Sequence, residues 1–128
     1  MSVLNVGVIS IVDDDESVRA ATKALLRSAG HDVRTFASAE LFLQSADIRE
    51  TECLILDVRM PNMDGSELQR RLKTGGSSIR VIFVSGESDC ANREAAIEAG
   101  AVDFFRKPFD ANLLLVAVQA ALKSRGIV

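Results

Sequence analysis

Four acidic residues in succession, Asp13, Asp14, Asp15 and Glu16, follow directly on an apolar run that ends at Val12. Like charges this close repel, and packing gives no reason to gather them at the edge of a core. The arrangement recurs along the chain. Asp57 closes the apolar run in CLILDVRMPNMDG, Ser85 closes the one in VIFVSGES, and Lys107 follows a weaker run in DFFRKPF. A carboxylate one residue past four apolar ones is partly desolvated, which is costly unless it is paired or metal-bound. Asp13 and Asp14 standing beside Asp57 would make a hard-oxygen site suited to Mg²⁺, which keeps several waters and takes few protein ligands. Mg²⁺ neutralises phosphoryl oxygens. Lys107 adds a movable positive charge and Ser85 a hydroxyl donor. There is no Walker-type glycine-rich loop to cradle a nucleotide. The chemistry indicated is phosphoryl transfer onto a carboxylate: Asp57 attacks, the metal and Lys107 absorb charge, and Ser85 holds the product.

Such chemistry needs separate segments to deliver their residues to one place. Val6–Val12, Cys53–Leu56 and Val81–Val84 are short continuous apolar runs rich in Val, Ile and Leu, the pattern of strands buried on both faces. His31–Phe36 and Val102–Phe105 are weaker strand candidates. Helical patterns lie between them. Val18, Ala21, Leu25, Leu26 and Ala29 form a stripe closed by Gly30; Ser38–Gln44, Ser66–Lys73 and Cys90–Ala99 are shorter; a last helix, capped by Asp110, runs to about Lys123. Asp15 and Glu16 suit the cap and first turn of the first helix, and Ser88 or Asp89 the cap of the fourth. His31, just past Gly30, reads as a surface turn residue. Five β-α units imply a parallel sheet with helices on both faces, and ligands in such folds bind beyond the carboxyl ends of the strands. The acids, Asp57, Ser85 and Lys107 all fall at that edge.

The bulk numbers agree with one such domain spanning residues 1–128. The chain is 48% hydrophobic and 26% charged, enough apolar material for a core and against disorder. A net charge of −3 with 15 basic residues gives no reason to expect nucleic acid binding. The apolar runs are far too short for a membrane span, and the N-terminus has no cationic leader. Cys53 and Cys90 have no metal-ligand spacing and read as reduced thiols. These features suit a cytoplasmic protein.

In order and at these spacings, the acid pair Asp13-Asp14, Asp57 in LDVRMP-x-MDG, Ser85-Gly86 in VSG, Phe104 and the Lys107-Pro108 pair resemble a response-regulator receiver domain, CheY-like, over essentially the whole chain. The resemblance implies a (βα)5, flavodoxin-like, doubly wound fold and a two-component signalling switch, phosphorylated by a sensor histidine kinase or phosphotransfer protein. It implies that Asp57 is the phosphoacceptor, that Asp14 ligates Mg²⁺ directly, that Asp13 acts largely through water, and that Arg59 offers its backbone carbonyl. Lys107 would pair with Asp57 at rest, across a cis bond to Pro108. Ser85 would move toward the phosphoryl group and Phe104 turn inward behind it. By the same resemblance, Arg59 and Glu87 occupy the positions, two past Asp57 and two past Ser85, where the family places residues that tune phosphoryl lifetime. The wording VDDDESVR and DFFRKPFD looks like regulators whose receiver precedes a helix-turn-helix output domain, and no such domain follows in this chain.

Two competing functions share parts of this pattern. A phosphohydrolase working through an aspartyl-phosphate wants a second acid two residues past the nucleophile, where this chain has Arg59. A flavin carrier wants an aromatic to stack the ring, and this chain has no Tyr or Trp and carries acids after its first strand. The last helix carries two apolar stripes. Leu114, Leu115, Val118, Ala121 and Leu122 have the spacing of a face packed on the sheet; Leu113, Val116, Ala117 and Ala120 form a second, expected to be an exposed surface for a second copy or an output partner.

Overall fold

Short apolar runs covered on both faces are accommodated by a parallel sheet between two layers of helices. The computed structural model, which describes residues 7–86 and 90–124, has this architecture. Strands β1 (Val8–Val12), β2 (Asp32–Phe36), β3 (Thr51–Asp57), β4 (Arg80–Ser85) and β5 (Asp103–Arg106) alternate with helices α1 (Glu16–Ser28), α2 (Ala39–Gln44), α3 (Gly65–Thr74), α4 (Cys90–Glu98) and α5 (Ala111–Ser124). The strands pair in parallel, in the order β2-β1-β3-β4-β5. This is the flavodoxin-like, doubly wound arrangement that the sequence implies.

Strand alternation sorts the side chains between the two faces. Ile9, Ile11, Cys53, Ile55, Ile82 and Val84 pack with Leu26 of α1 and with Leu114, Val118, Ala121 and Leu122 of α5. Val12, Leu54, Leu56, Val81 and Phe83 pack on the other face with Phe42 of α2, Leu68 and Leu72 of α3, and Ala96 of α4. The first stripe of α5 is thus the sheet-facing one.

Local chemistry sets the helix starts. The Asp15 carboxylate accepts from the backbone N–H groups of Ser17 and Val18, so Asp15 caps α1. Ser38, Asp64 and Asp110 accept from first-turn N–H groups of α2, α3 and α5. Gly30, at φ +94°, takes the left-handed turn after α1.

Several details differ from the sequence reading. The buried positions of α1 are Thr22 and Leu26, with Val18 and Leu25 half-buried and Ala21 and Ala29 exposed. The buried seam thus runs through Thr22 and Leu26, turned away from Ala21 and Ala29. His31 is only 9% exposed, because it opens the segment entering β2 and tucks behind the end of α1, its N–H donating to the Leu26 carbonyl. That burial depresses its pKa below the ordinary value of 6.5. A short 3-10 turn, Ala46–Arg49, precedes β3, which begins at Thr51 and includes Asp57 itself. Val6 and the capping candidates Ser88 and Asp89 lie outside the described residues.

Candidate functional site

Sheet register assembles the site. Val12 of β1 stands opposite Leu56 of β3, so Asp13 and Asp57 leave neighbouring strands side by side. Asp57 stands opposite Val84, one residue before Ser85; Ser85 stands opposite Arg106, one residue before Lys107. From β1 the chain crosses to β2 on one side, then returns to β3 on the other. The two acids therefore flank the point where connections diverge, the usual binding crevice of such a sheet.

Asp13 is 1% exposed and Asp57 6%, while Asp14 is exposed. Each of the three offers a carboxylate oxygen, and those oxygens lie within 4.8 Å of one another. Lys107 Nζ donates to Asp13 Oδ2 at 2.9 Å and stands 3.7 Å from Asp57 Oδ1. The ion pair expected with Asp57 is present at the longer distance, and the hydrogen bond goes to Asp13 instead. Burial, then the Asp13 charge, push the Asp57 pKa up to about 7, against the pull of Lys107 and of the Arg59 backbone N–H. For Lys107, burial opposes the ammonium, yet the Asp13 bond and the Asp57 charge outweigh it and raise the pKa.

Backbone ties hold these acids in place. The Asp13 N–H donates to the Phe36 carbonyl at 3.2 Å, and Asp13 Oδ1 accepts from the Asp15 N–H at 2.9 Å. The Asp13 carbonyl accepts from the Arg19 guanidinium at 2.7 Å. After Asp57 the chain makes a tight loop, closed by the Gly65 N–H on the Val58 carbonyl at 2.9 Å. Asn62 takes φ +67° there, a conformation Asn tolerates better than most residues. Glu40 of α2 accepts from the Met63 N–H at 3.3 Å and braces the loop. A Cβ on Gly65 would overlap the Asp57 carbonyl oxygen, so only glycine fits against the acid's backbone.

The remaining candidates divide. Ser85 is 1% exposed, and its carbonyl accepts from the Lys107 N–H at 2.7 Å, tying the two strand ends together. Gly86 is exposed beyond it. The Lys107–Pro108 bond is cis, as the resemblance implies. Phe104 is half-buried, its ring 6.1 Å from that of Phe83, behind the site rather than in it. The Arg59 side chain is exposed, and Glu87 lies outside the described residues. On α5, Leu113 is 59% and Val116 64% exposed, and Ala120 is exposed. Ala117 departs from that stripe: it is half-buried and packs on the core, because the helix rolls it toward the sheet. Arg19, Glu40 and Gly65 have no role assigned in the sequence reading, although Arg19 closes the quoted VDDDESVR. Arg19 and Glu40 act across gaps that no local pattern marks, although Gly65 sits inside the quoted MDG.

The donor set fits a hard divalent cation. It is all oxygen, it converges, and burial with the adjacent Asp13 charge holds the Asp57 pKa above the ordinary carboxylate value, as in a cluster rich in negative charge. No helix among the described residues is long and apolar enough to cross a membrane.

Comparison with known proteins shows the family. The family model "Response regulator receiver domain" matches residues 9–119. Response regulator protein TodT of Pseudomonas putida is 51% identical over 116 residues, covering 91% of this chain and 51% of TodT. The chain spans about half the length of the curated relatives it matches. The solved structure of response regulator StyR superposes with a TM-score of 0.85 at 40% identity, over 91% of this chain and 59% of that one. The crystal structure of FixJ-N superposes with a TM-score of 0.82 at 36% identity, over 91% and 94%. With this fold and these acids at its switch point, the chain belongs to the response regulator receiver domain family, whose members are phosphorylation-controlled signalling switches.

Proposed function

We propose that this receiver takes a phosphoryl group onto Asp57, from a sensor histidine kinase or phosphotransfer protein, and changes its partner-binding surface in response. The observation that carries the reading is the state of Asp57: 6% exposed, beside two further carboxylates and one ammonium. Largely shut off from water, it has Lys107 as its nearby counter-charge, which suits a nucleophile that must form a bond to phosphorus as the donor's leaving group departs. Asp13, Asp14 and Asp57, with the Arg59 backbone carbonyl, would hold Mg²⁺. When bound, the ion supplies positive charge against the phosphoryl oxygens. Lys107 lies within reach of both Asp13 and Asp57, so a short movement carries it from one to the new phosphoryl group. Ser85 donates its hydroxyl to that group, Gly86 leaves the approach open, and Phe104 turns inward against Phe83. Arg59 and Glu87 tune the lifetime of the acyl phosphate.

The domain is a signalling receiver whose own chemistry is limited to self-phosphorylation and slow loss of the phosphoryl group. Arg59, two residues past Asp57, offers no proton to a leaving group, which disfavours a turnover phosphohydrolase. The output surface is the exposed stripe of Leu113, Val116 and Ala120 on α5, open to a second copy or an output partner. The setting is cytoplasmic, with no membrane contact and no direct nucleic acid binding by this domain. The test is intact-mass analysis after incubation with acetyl phosphate and Mg²⁺: wild type gains one phosphoryl group and Asp57→Asn gains none. Repeated turnover of a phosphomonoester would favour the hydrolase instead.

A further inference from the structure

We infer that Arg19 is a positioning residue of the acid cluster: its guanidinium fixes the peptide joining Asp13 to Asp14 and so aims the Asp14 carboxylate. The inference rests on the reading of Asp13, Asp14 and Asp57 as a divalent-cation site.

The three acids are not held equally. Both Asp13 oxygens are tied, Oδ1 by the Asp15 N–H and Oδ2 by Lys107. Asp57 is enclosed and faces Lys107 and the Arg59 N–H. Asp14 is exposed, and among the described residues no hydrogen bond holds its side chain. Its backbone sets the direction of the Cα–Cβ bond, and with it the region the carboxylate can reach. A peptide unit is planar, so an anchor on the Asp13 carbonyl oxygen also orients the Asp14 nitrogen and Cα. Arg19 supplies that anchor with a charge-assisted bond of 2.7 Å, shorter than any other tie on Asp13.

Arg19 itself sits on a rigid element. Its N–H donates to the Asp15 carbonyl at 3.0 Å, one turn into α1, whose start Asp15 caps. Helical side chains lean toward the N-terminus, which carries the guanidinium back over the acidic turn. The choice of partner is informative. A cation beside three carboxylates has every electrostatic reason to pair with one. Among the described residues Arg19 forms no ion pair, and its guanidinium donates to a carbonyl, which leaves the carboxylate oxygens for another cation.

Two roles for Arg19 predict opposite signs. As a counter-charge it would repel Mg²⁺, and its removal would strengthen binding. As a positioning residue its removal loosens Asp14 and weakens binding, by about tenfold at the low end of what outer-shell partners of metal ligands contribute. The experiment is calorimetric titration of Mg²⁺ into wild type, Arg19→Ala and Arg19→Lys, with melting in EDTA as the folding control. Arg19→Gln replaces the alanine variant if that one does not fold. A second readout needs no metal: the backbone ¹⁵N resonance of Asp14, on the anchored peptide, in EDTA. The expected result is weaker Mg²⁺ binding and a displaced Asp14 resonance in Arg19→Ala, both largely recovered in Arg19→Lys. Equal or tighter Mg²⁺ binding by a folded Arg19→Ala or Arg19→Gln overturns the inference. If wild type itself binds no Mg²⁺, the cation-site reading falls and this inference falls with it.

Discussion

Lys107 makes its hydrogen bond to Asp13 rather than to Asp57: Nζ lies 2.9 Å from Asp13 Oδ2 and 3.7 Å from Asp57 Oδ1. The phosphoacceptor candidate therefore shares its ammonium with the residue that also repels it. Replacing Asp13 by Asn removes that repulsion and loosens the rival claim on Lys107. The Asp57 pKa should fall from about 7 in Asp13→Asn, while burial, the largest cause of the shift, keeps it above the ordinary 3.8. A carboxyl ¹³C titration in EDTA measures this. An unchanged or higher value in the variant would show that the repulsion assigned to Asp13 is absent.

The raised pKa of Asp57 also has a consequence for stability. Between the ordinary value of 3.8 and about 7 the folded state binds more protons at this site than the unfolded state. Its contribution is fully present below 3.8 and is lost as pH rises through 7. Asp57→Asn removes the buried charge. In EDTA the variant should be more stable than wild type at pH 8, by about 1–4 kcal/mol, with the difference shrinking toward pH 5. Denaturant melts at the two pH values give the comparison. A variant less stable than wild type at pH 8 would mean that Lys107 outweighs burial.

Mg²⁺ should stabilise the folded domain, because a ligand of the native state alone shifts unfolding by mass action, about 1.4 kcal/mol at ten times Kd. Asp14→Asn relieves crowding among the three acids and removes a ligand. It should raise the melting temperature of the metal-free protein and abolish the Mg²⁺ effect. Indifference of the wild-type melting temperature to millimolar Mg²⁺ would mean that these acids do not bind the ion in that range.

Much of this site was legible in the sequence because it hangs on strand ends. Asp57 follows four buried residues of β3, and the apolar run before Asp13 shows where β1 stops. Register then does the rest, since parallel neighbours end side by side. Asp15 as the cap of α1 was also legible, because capping is local chemistry. What escaped depends on packing between distant segments. His31 looked like a turn residue, but the sheet edge and α1 enclose it. Glu40 reaches a loop 23 residues away, and Lys107 chooses between two acids on different strands. The roll of α5 that half-buries Ala117 and leaves Val116 exposed depends on how the helix seats on the sheet, which a stripe of apolar residues does not specify.

Val116 is 64% exposed, so Val116→Glu should change stability by no more than about 0.5 kcal/mol. It should leave phosphorylation of Asp57 intact and weaken self-association of the phosphorylated form. Light scattering with and without a stable phosphoryl mimic decides. If the phosphoryl form stays monomeric and the variant binds its output partner as well as wild type, the stripe is ordinary helix surface.

Whether Asp57 accepts the phosphoryl group is decided by peptide-level mass spectrometry after treatment with acetyl phosphate and Mg²⁺. The expected result is one phosphoryl group per chain on the peptide containing Asp57, none without Mg²⁺ and none in Asp57→Asn. A full phosphoryl mass shift in Asp57→Asn, or on a peptide lacking Asp57, would contradict it.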